Sequence, residues 1–259
     1  MKTVIDHIGR TITYNFPPKR IISLCPSITE TLYTLQLHPE IIGRTEYCIY
    51  PKGQVESAQV VGGTKEINFA IIRELKPDLI IVEKEENTKD IVEVLEKDYP
   101  VYVAEVQSIP DAYRMITSIG DLTNRNAEAD RLVAKIQTKF LALPQLKGKR
   151  VAYVIWNEPY MVVGKDTYIQ SVLYEMGFIN PFLSMISRYP IVTVEDFQDA
   201  KLDYVLLATE PYPFDEKHKD MFLKMMPNAT PIIVDGEMFW YGARMIKAAH
   251  YFKQEFILR

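Results

Sequence analysis

The residues able to do chemistry in this chain are concentrated in six short segments: Ser23–Ser27, Arg44–Pro51, Glu83–Asn87, Trp156–Met161, Thr209–Phe214 and Asp235–Arg244. They hold Tyr47, Tyr50, Trp156, Tyr160, Tyr212, Phe214, Phe239, Trp240 and Tyr241, and so include both tryptophans of the chain. An aromatic ring offers a broad apolar face, and Tyr and Trp add a polar edge. Such a set suits the wall of a site for a large, flat, partly polar molecule. Any one of these rings taken singly is better explained as a local packing anchor; it is the grouping that points to binding. Charge is interleaved with them in Glu83, Lys84, Glu85 and Glu86, in Glu210, and in Asp235, Glu237 and Arg244. Lys84 and Glu85 have two readings: ligand contacts, or members of a first helical turn whose acids complement the helix dipole. In Glu210-Pro-Tyr-Pro-Phe214 two prolines stiffen the loop that presents Tyr212 and Phe214.

Signs of catalysis are weak. The chain has no phosphate loop, no Gly-x-Ser-x-Gly elbow, no Gly-x-Gly-x-x-Gly and no His-Glu-x-x-His. Gly62-Gly63-Thr64-Lys65 reads as a turn. The four histidines lack metal-ligand spacing. Cys25 and Cys48 lie just beyond expected strand ends; their ordinary role is that of small buried apolar groups, the other being a soft ligand to a bound metal complex. No catalytic residue and no resident metal is assigned. Convergence of Glu85, Glu210 and Glu237 would be the basis for an enzyme reading, since paired carboxylates can share acid–base work.

Stepping outward to the elements that must hold these segments, Thr3–Ile5 and Thr11–Tyr14 read as a hairpin around Gly9. Arg20–Leu24 is a β-branched run before Pro26, and Ser27 with Glu30 has the spacing of a capping box for a helix bearing Ile28, Leu32 and Leu35. Strands are expected at Ile41–Arg44, Leu79–Val82 and Val101–Val106, with helices at Phe69–Leu75 and after Asn87, where Asp90 completes a cap. Two helices follow, one from Pro110 to about Leu122 and one from Asn126 to about Leu143. The pattern then restarts: strands at Val151–Trp156, Tyr204–Ala208 and Pro231–Val234, and helices at Tyr168–Met176, Val194–Ala200, Lys217–Met225 and Ala243–Phe256. Lys76-Pro-Asp-Leu79 in the first half is echoed by Lys201-Leu-Asp-Tyr204 in the second. Strand–helix alternation gives an α/β class with largely parallel sheets. Two similar lobes joined by one helix is the leading arrangement; a single continuous sheet is the alternative. In either case the six segments follow the carboxyl ends of strands, where α/β folds bind ligands.

Composition narrows the field. The 259 residues are 47% hydrophobic and 25% charged, which excludes a disordered or disulfide-stapled chain. A formal net charge of −4 argues against nonspecific nucleic-acid binding. No stretch approaches the roughly 20 apolar residues of a membrane span. Met1–Arg20 has no apolar core of the secretory type, so the expectation is cytoplasmic if Met1 is the native start, and periplasmic or surface-attached if a signal peptide has been removed.

Several runs carry a family resemblance: Pro18 to Leu32 (PKRIISLCPSITETL), Gly43 to Pro51, Gly62-Gly63 and Leu75-Lys-Pro-Asp-Leu-Ile-Ile81. They resemble the helical-backbone (class III) substrate-binding proteins of ABC importers, nearest to the cobalamin-binding members, and in particular a subset that starts directly at the domain and carries Lys-Glu-Glu-Asn, Glu-Pro-Tyr-Pro-Phe and Trp-Tyr-Gly-Ala-Arg. The resemblance covers nearly the whole chain. It implies two Rossmann-like α/β lobes, residues 1–108 and 147–259, joined through connecting helices at 109–146 that include one long backbone helix, with a ligand cleft between the lobes. It also implies a non-catalytic binding protein for a metal chelate such as cobalamin, haem or a ferric siderophore, with no built-in cofactor. The alternative is a cytosolic enzyme, or a chelate-handling or sensor protein, on the same scaffold. The resemblance points to Tyr47, Tyr50 and Glu237 as ligand contacts; with the strand-end loops read above, the expected ligand-binding set is Tyr47, Cys48, Tyr50, Lys84, Glu85, Trp156, Tyr160, Tyr212, Phe214, Glu237, Trp240, Tyr241 and Arg244. Binders of this class dock to a permease through one glutamate per lobe. Glu195 fits one position, while the other holds Ala70 with Glu66 nearby.

Overall fold

The computed structural model describes residues 1–257. It divides into two compact units. The first comprises Met1–Val106, Pro110–Gln137 and the short segment Tyr241–Arg244; the second comprises Gln107–Ile109, Thr138–Trp240 and the chain from Met245.

In the first unit, β1 (Lys2–Ile5) and β2 (Thr11–Tyr14) pair antiparallel with Lys2 opposite Tyr14. Asp6 ties this hairpin down: its buried carboxylate accepts from the backbone N–H groups of Ile8, Arg10 and Val103. The chain continues through β3 (Ile21–Ser23), α1 (Pro26–Thr34), β4 (Ile41–Arg44), β5 (Gln59–Val60), α2 (Phe69–Leu75), β6 (Leu79–Glu83), α3 (Lys89–Leu95), β7 (Val101–Ala104), α4 (Ile109–Thr123) and α5 (Asn126–Phe140). The sheet order is β5-β4-β3-β6-β7 and every pairing is parallel. β6 is buried at all five positions, which is why it reads as an unbroken apolar run rather than an alternating one. Its Ile80 and Val82 pack with Ile22, Leu24, Ile72, Val101 and Val103.

The second unit holds β8 (Val151–Trp156), β9 (Tyr160–Val162), α6 (Tyr168–Glu175), β10 (Ile191–Val192), α7 (Val194–Asp199), β11 (Tyr204–Ala208), α8 (Glu216–Met225), β12 (Thr230–Val234) and α9 (Met245–Ile257). Its sheet runs β10-β9-β8-β11-β12. β8, β11 and β12 are parallel, whereas β9 and β10 are antiparallel additions at the edge. The two sheets are separate, so the single continuous sheet does not occur. In each sheet the strand order reverses at one point, between β3 and β6 and between β8 and β11. Ligands of open α/β sheets sit outside the carboxyl ends of strands at such a switch point.

The two units repeat one local design. Asn68–Glu83 aligns on Thr193–Ala208 without a gap. Each stretch opens on a cap residue, Asn68 accepting from Ala70 N and Ile71 N, and Thr193 accepting from Asp196 N. Lys76 (φ 44°) and Lys201 (φ 47°) then turn the chain in the left-handed region. Asp78 accepts from Arg20 N at 2.9 Å and Asp203 from Arg150 N at 2.8 Å. The Arg20 and Arg150 side chains reach the carbonyls that end α2 and α7. This is the physical content of the Lys-x-Asp echo: the aspartate fixes the start of β3 or β8 against the start of β6 or β11.

Two local expectations are corrected. Ser27 lies inside α1, whose cap position is Cys25 with no side-chain bond; Pro26 starts the helix, and Glu30 is engaged by Arg244 rather than by the helix terminus. Thr88, not Asn87, caps α3. Asn87 is instead a buried clasp: its Oδ1 accepts from Glu83 N at 2.9 Å, and its Nδ2 donates to Leu24 O and Thr64 O at 3.1 and 2.9 Å. Among the described residues no helix is long and apolar enough to cross a membrane.

Candidate functional site

In the first unit the ends of β3, β4 and β6 and the segment Tyr241–Arg244 hold a dense polar group. Tyr47, just past β4, is 56% exposed. The next residue, Cys48, is buried, and its Sγ lies 3.1 Å from the hydroxyls of both Thr29 and Thr45. Burial raises its thiol pKa, partly offset by those two hydroxyls. Cys25 is also buried, with Sγ 3.4 Å from the Tyr241 hydroxyl; burial pushes both groups well above their ordinary values, and the nearby Glu83 and Glu86 charges add to it. Both cysteines are unbridged.

Tyr50 is half-buried beneath Arg244, whose guanidinium carbon sits 3.7 Å from the ring centroid. Arg244 is 2% exposed, and its Nε donates to Glu30 Oε2 at 2.8 Å. This residue, named among the expected ligand contacts, is buried and paired with Glu30 in the first unit. Lys84 is exposed and pairs with Glu105 at 2.5 Å; Glu85 is half-buried, its carbonyl accepting from the Lys65 ammonium.

The sequence names neither Glu83 nor Glu30 as a site residue, Glu30 being read only as part of a capping box with Ser27. Glu83 ends the all-buried β6. Its Oε2 accepts from Glu85 N (2.7 Å) and Glu86 N (3.0 Å), and its Oε1 from Val106 N (3.2 Å). Burial outweighs these donors and raises its pKa to about 7. The available signal was placement: an acid closing an apolar strand, or one within a helix buried from Ser27 to Tyr33, must have a partner to be tolerated.

In the second unit Trp156 closes β8 and is 41% exposed. Its ring stands edge-on to Tyr212, with centroids 5.7 Å apart. The Tyr212 hydroxyl accepts from Asn157 Nδ2 at 3.3 Å and lies 3.0 Å from His218 Nε2. His218 Nδ1 is 2.7 Å from Asp215 Oδ1. Burial works to raise the Asp215 pKa, but the His218 backbone and ring hydrogen bonds leave it below the usual carboxylate value. Phe214 turns inward and is buried among Tyr212, His218 and Phe222, with centroids 4.7, 5.3 and 6.5 Å away. Tyr160 lies on β9, its ring against Phe197 and Phe222 and its hydroxyl toward Met221 Sδ at 3.8 Å. Both therefore serve the unit's core. Trp240 is half-buried and donates through Nε1 to Glu210; Glu237, in the 3-10 turn Gly236–Phe239, is half-buried with its N–H on Asp235 Oδ1 at 3.0 Å. Glu195 is exposed in the first turn of α7, and Ala70 holds the matching position of α2. Among the described residues no group of three or more His, Cys, Asp or Glu is placed to hold a metal ion.

Residues 21–229 match the model of the periplasmic binding protein family. The chain belongs to that family. An uncharacterized ABC transporter substrate-binding lipoprotein of Bacillus subtilis, YvrC, is 30% identical over 184 residues, 66% of this chain and 58% of that protein. A vitamin B12-binding protein of Vibrio vulnificus is 28% identical over 187 residues, 69% of this chain and 67% of that protein. These matches span only about three-fifths to two-thirds of the relatives' lengths. The solved structure of the periplasmic haem-binding protein HutB of Vibrio cholerae superposes with a TM-score of 0.75 at 20% identity, over 89% of this chain and 96% of that one, and so shares the fold. The family resemblance expected from the N-terminal motifs and the α/β class with two lobes are both met. These relatives are named as binding proteins rather than as enzymes.

Proposed function

We propose that the protein binds a metal chelate of the cobalamin or haem type without transforming it and presents it to an ABC permease. The observation that carries this reading is Trp156: a tryptophan kept 41% exposed at the carboxyl end of a central strand, braced by Tyr212, in a family with vitamin B12- and haem-binding members. A large ring left in water at a switch point is suited to bury against a flat apolar partner. Within the second unit Trp240 offers further aromatic contact and Glu237 polar contact, and the first unit carries its own candidate contacts in Tyr47, Lys84 and Glu85. Glu195, exposed on α7, is the proposed docking residue for a permease.

The test is calorimetric titration of the protein with cyanocobalamin and with haemin. Binding in the micromolar range or tighter is expected for one of them, about −8 kcal/mol or better, with Trp156→Ala weakening it about tenfold. Absence of heat with both chelates at high micromolar concentration would overturn the reading.

A further inference from the structure

We propose that Glu210 is a positioning residue for the bound chelate: it fixes the plane of the Trp240 indole against which the chelate rests, and Gly236 is a glycine so that it can. This deepens the binding reading above and rests on it. All three residues belong to the second unit. Trp240 follows the 3-10 turn Gly236–Phe239, just after β12. Its side chain is held at both ends. At the main-chain end, the preceding Phe239 is buried and stands edge-on to Tyr153 of β8, with centroids 4.6 Å apart, and the Trp240 N–H donates to Glu237 O at 3.2 Å. At the far edge of the indole, Nε1 donates to Glu210 Oε1, from the loop after β11 and 30 positions away in the chain. Anchoring the backbone alone leaves the side-chain torsions a choice of wells; the second contact selects one.

Packing calls for less than this. The N–H of a half-buried indole is satisfied by water or by a main-chain carbonyl. A carboxylate drawn into the same place carries a desolvation cost, and the chain must make room for it. Gly236 makes that room. Its φ lies outside the left-handed region, so the turn itself does not demand glycine. A Cβ there would fall 2.4 Å from Glu210 Cγ and 3.2 Å from Glu210 N. The missing side chain is therefore required by the course of the glutamate. The Gly236 N–H also donates to Thr209 Oγ1 at 3.1 Å, which ties the two loops together at the same point. Beneath them lies the buried Tyr153, whose phenol is pushed well above its ordinary value by burial first and by the Glu210 charge next.

The arrangement gives the indole a charge-assisted hydrogen bond, stronger than one to a neutral acceptor. The ring is set before a ligand arrives, so less ordering remains to be done on binding. Glu210 thus acts through Trp240 and not by touching the chelate.

The experiment uses the full chain, with cyanocobalamin and haemin as probes in calorimetry. Wild type is expected to bind one of them. Glu210→Ala should weaken that binding at least about tenfold, the worth of one hydrogen bond to a charged group. Glu210→Gln keeps an oxygen for Nε1 and should stay within about threefold of wild type. Gly236→Ala alters neither partner and should fall with Glu210→Ala, because its Cβ displaces the glutamate. Ultraviolet resonance Raman scattering in a Trp156→Phe background, where Trp240 is the one tryptophan left, reads the Nε1 hydrogen bond directly. The bonded signal should persist with Glu210→Gln and be lost with Glu210→Ala, a rescue that a general loosening of the loop would not give. Circular dichroism monitors folding, and the alanine and glutamine variants of Glu210 decide the matter even if Gly236→Ala does not fold. Equal binding by wild type and Glu210→Ala, or an unchanged Nε1 signal, would overturn this inference and leave the binding reading standing. Equal weakening by glutamine and alanine would also overturn it, since the charge would then meet the chelate itself. No binding of either chelate by wild type would remove both.

Discussion

Arg244 and Glu30 form a buried ion pair at 2.8 Å that joins residues 214 positions apart in the chain. The same guanidinium covers the face of Tyr50. A charge so far from water is tolerable only with its counter-charge in place, so the pair acts as a condition on the fold around Tyr50 rather than as a surplus of stability.

Removing one partner should therefore cost more than removing both. Glu30→Ala or Arg244→Met alone is expected to destabilise the protein by about 3–5 kcal/mol, and the double substitution by clearly less than the sum. Urea unfolding of the three variants provides the double-mutant cycle. Strict additivity would show that the two side chains are energetically independent.

Glu83 makes stability fall with pH. Its native pKa of about 7 lies above the ordinary 4.5. The folded state thus holds a proton that the unfolded chain releases. The contribution is fully present below about pH 4.5 and is lost as pH rises through 7, with an upper size of about 3 kcal/mol. Glu83→Gln cannot titrate, so the wild-type minus variant difference in urea midpoint should shrink between pH 4.5 and 8. A difference that stays flat across this window would show that Glu83 is ionised in the native state throughout.

Gly242 and Gly9 make a matched test. Both have positive φ, +78° and +86°. A Cβ at Gly9 would meet nothing within 4 Å, so Gly9→Ala should cost only the backbone term of about 1–2 kcal/mol. A Cβ at Gly242 would fall 2.3 Å from Thr31 Oγ1, which donates to Ser27 O at 2.7 Å and accepts from Ala243 N at 3.1 Å. That hydroxyl cannot swing away without releasing both bonds. Gly242→Ala should lower the thermal midpoint at least twice as far as Gly9→Ala; equal shifts would mean the hydroxyl moves without penalty.

Most strands and helices could be read from the chain because burial imposes a local period. The apolar β6 and β11, the helices around Ile116 and Ile136, and the Lys-x-Asp echo all rest on neighbours in sequence. What escaped was set by distant partners. Ser27 and Glu30 have capping-box spacing, but Pro26 takes the helix start and Arg244 takes the glutamate. Asn87 is a cap by type and a clasp by position, because Leu24 and Thr64 lie against it. β9 and β10 are short edge strands with too few residues to show an alternation. The site divides in the same way. Trp156 was visible as an aromatic at a strand end, whereas the inward turn of Phe214 and the engagement of Arg244 depend on surroundings that no spacing encodes.

The assignment of Tyr241–Arg244 to the first unit has a consequence for biosynthesis. These four residues supply the Tyr241 hydroxyl beside Cys25, the Ala243 N–H on Thr31 and the guanidinium on Glu30. On a ribosome, domains ordinarily mature in the order in which they emerge. Here the first unit is complete only after residues 241–244, which follow more than a hundred residues of the second unit, have been made.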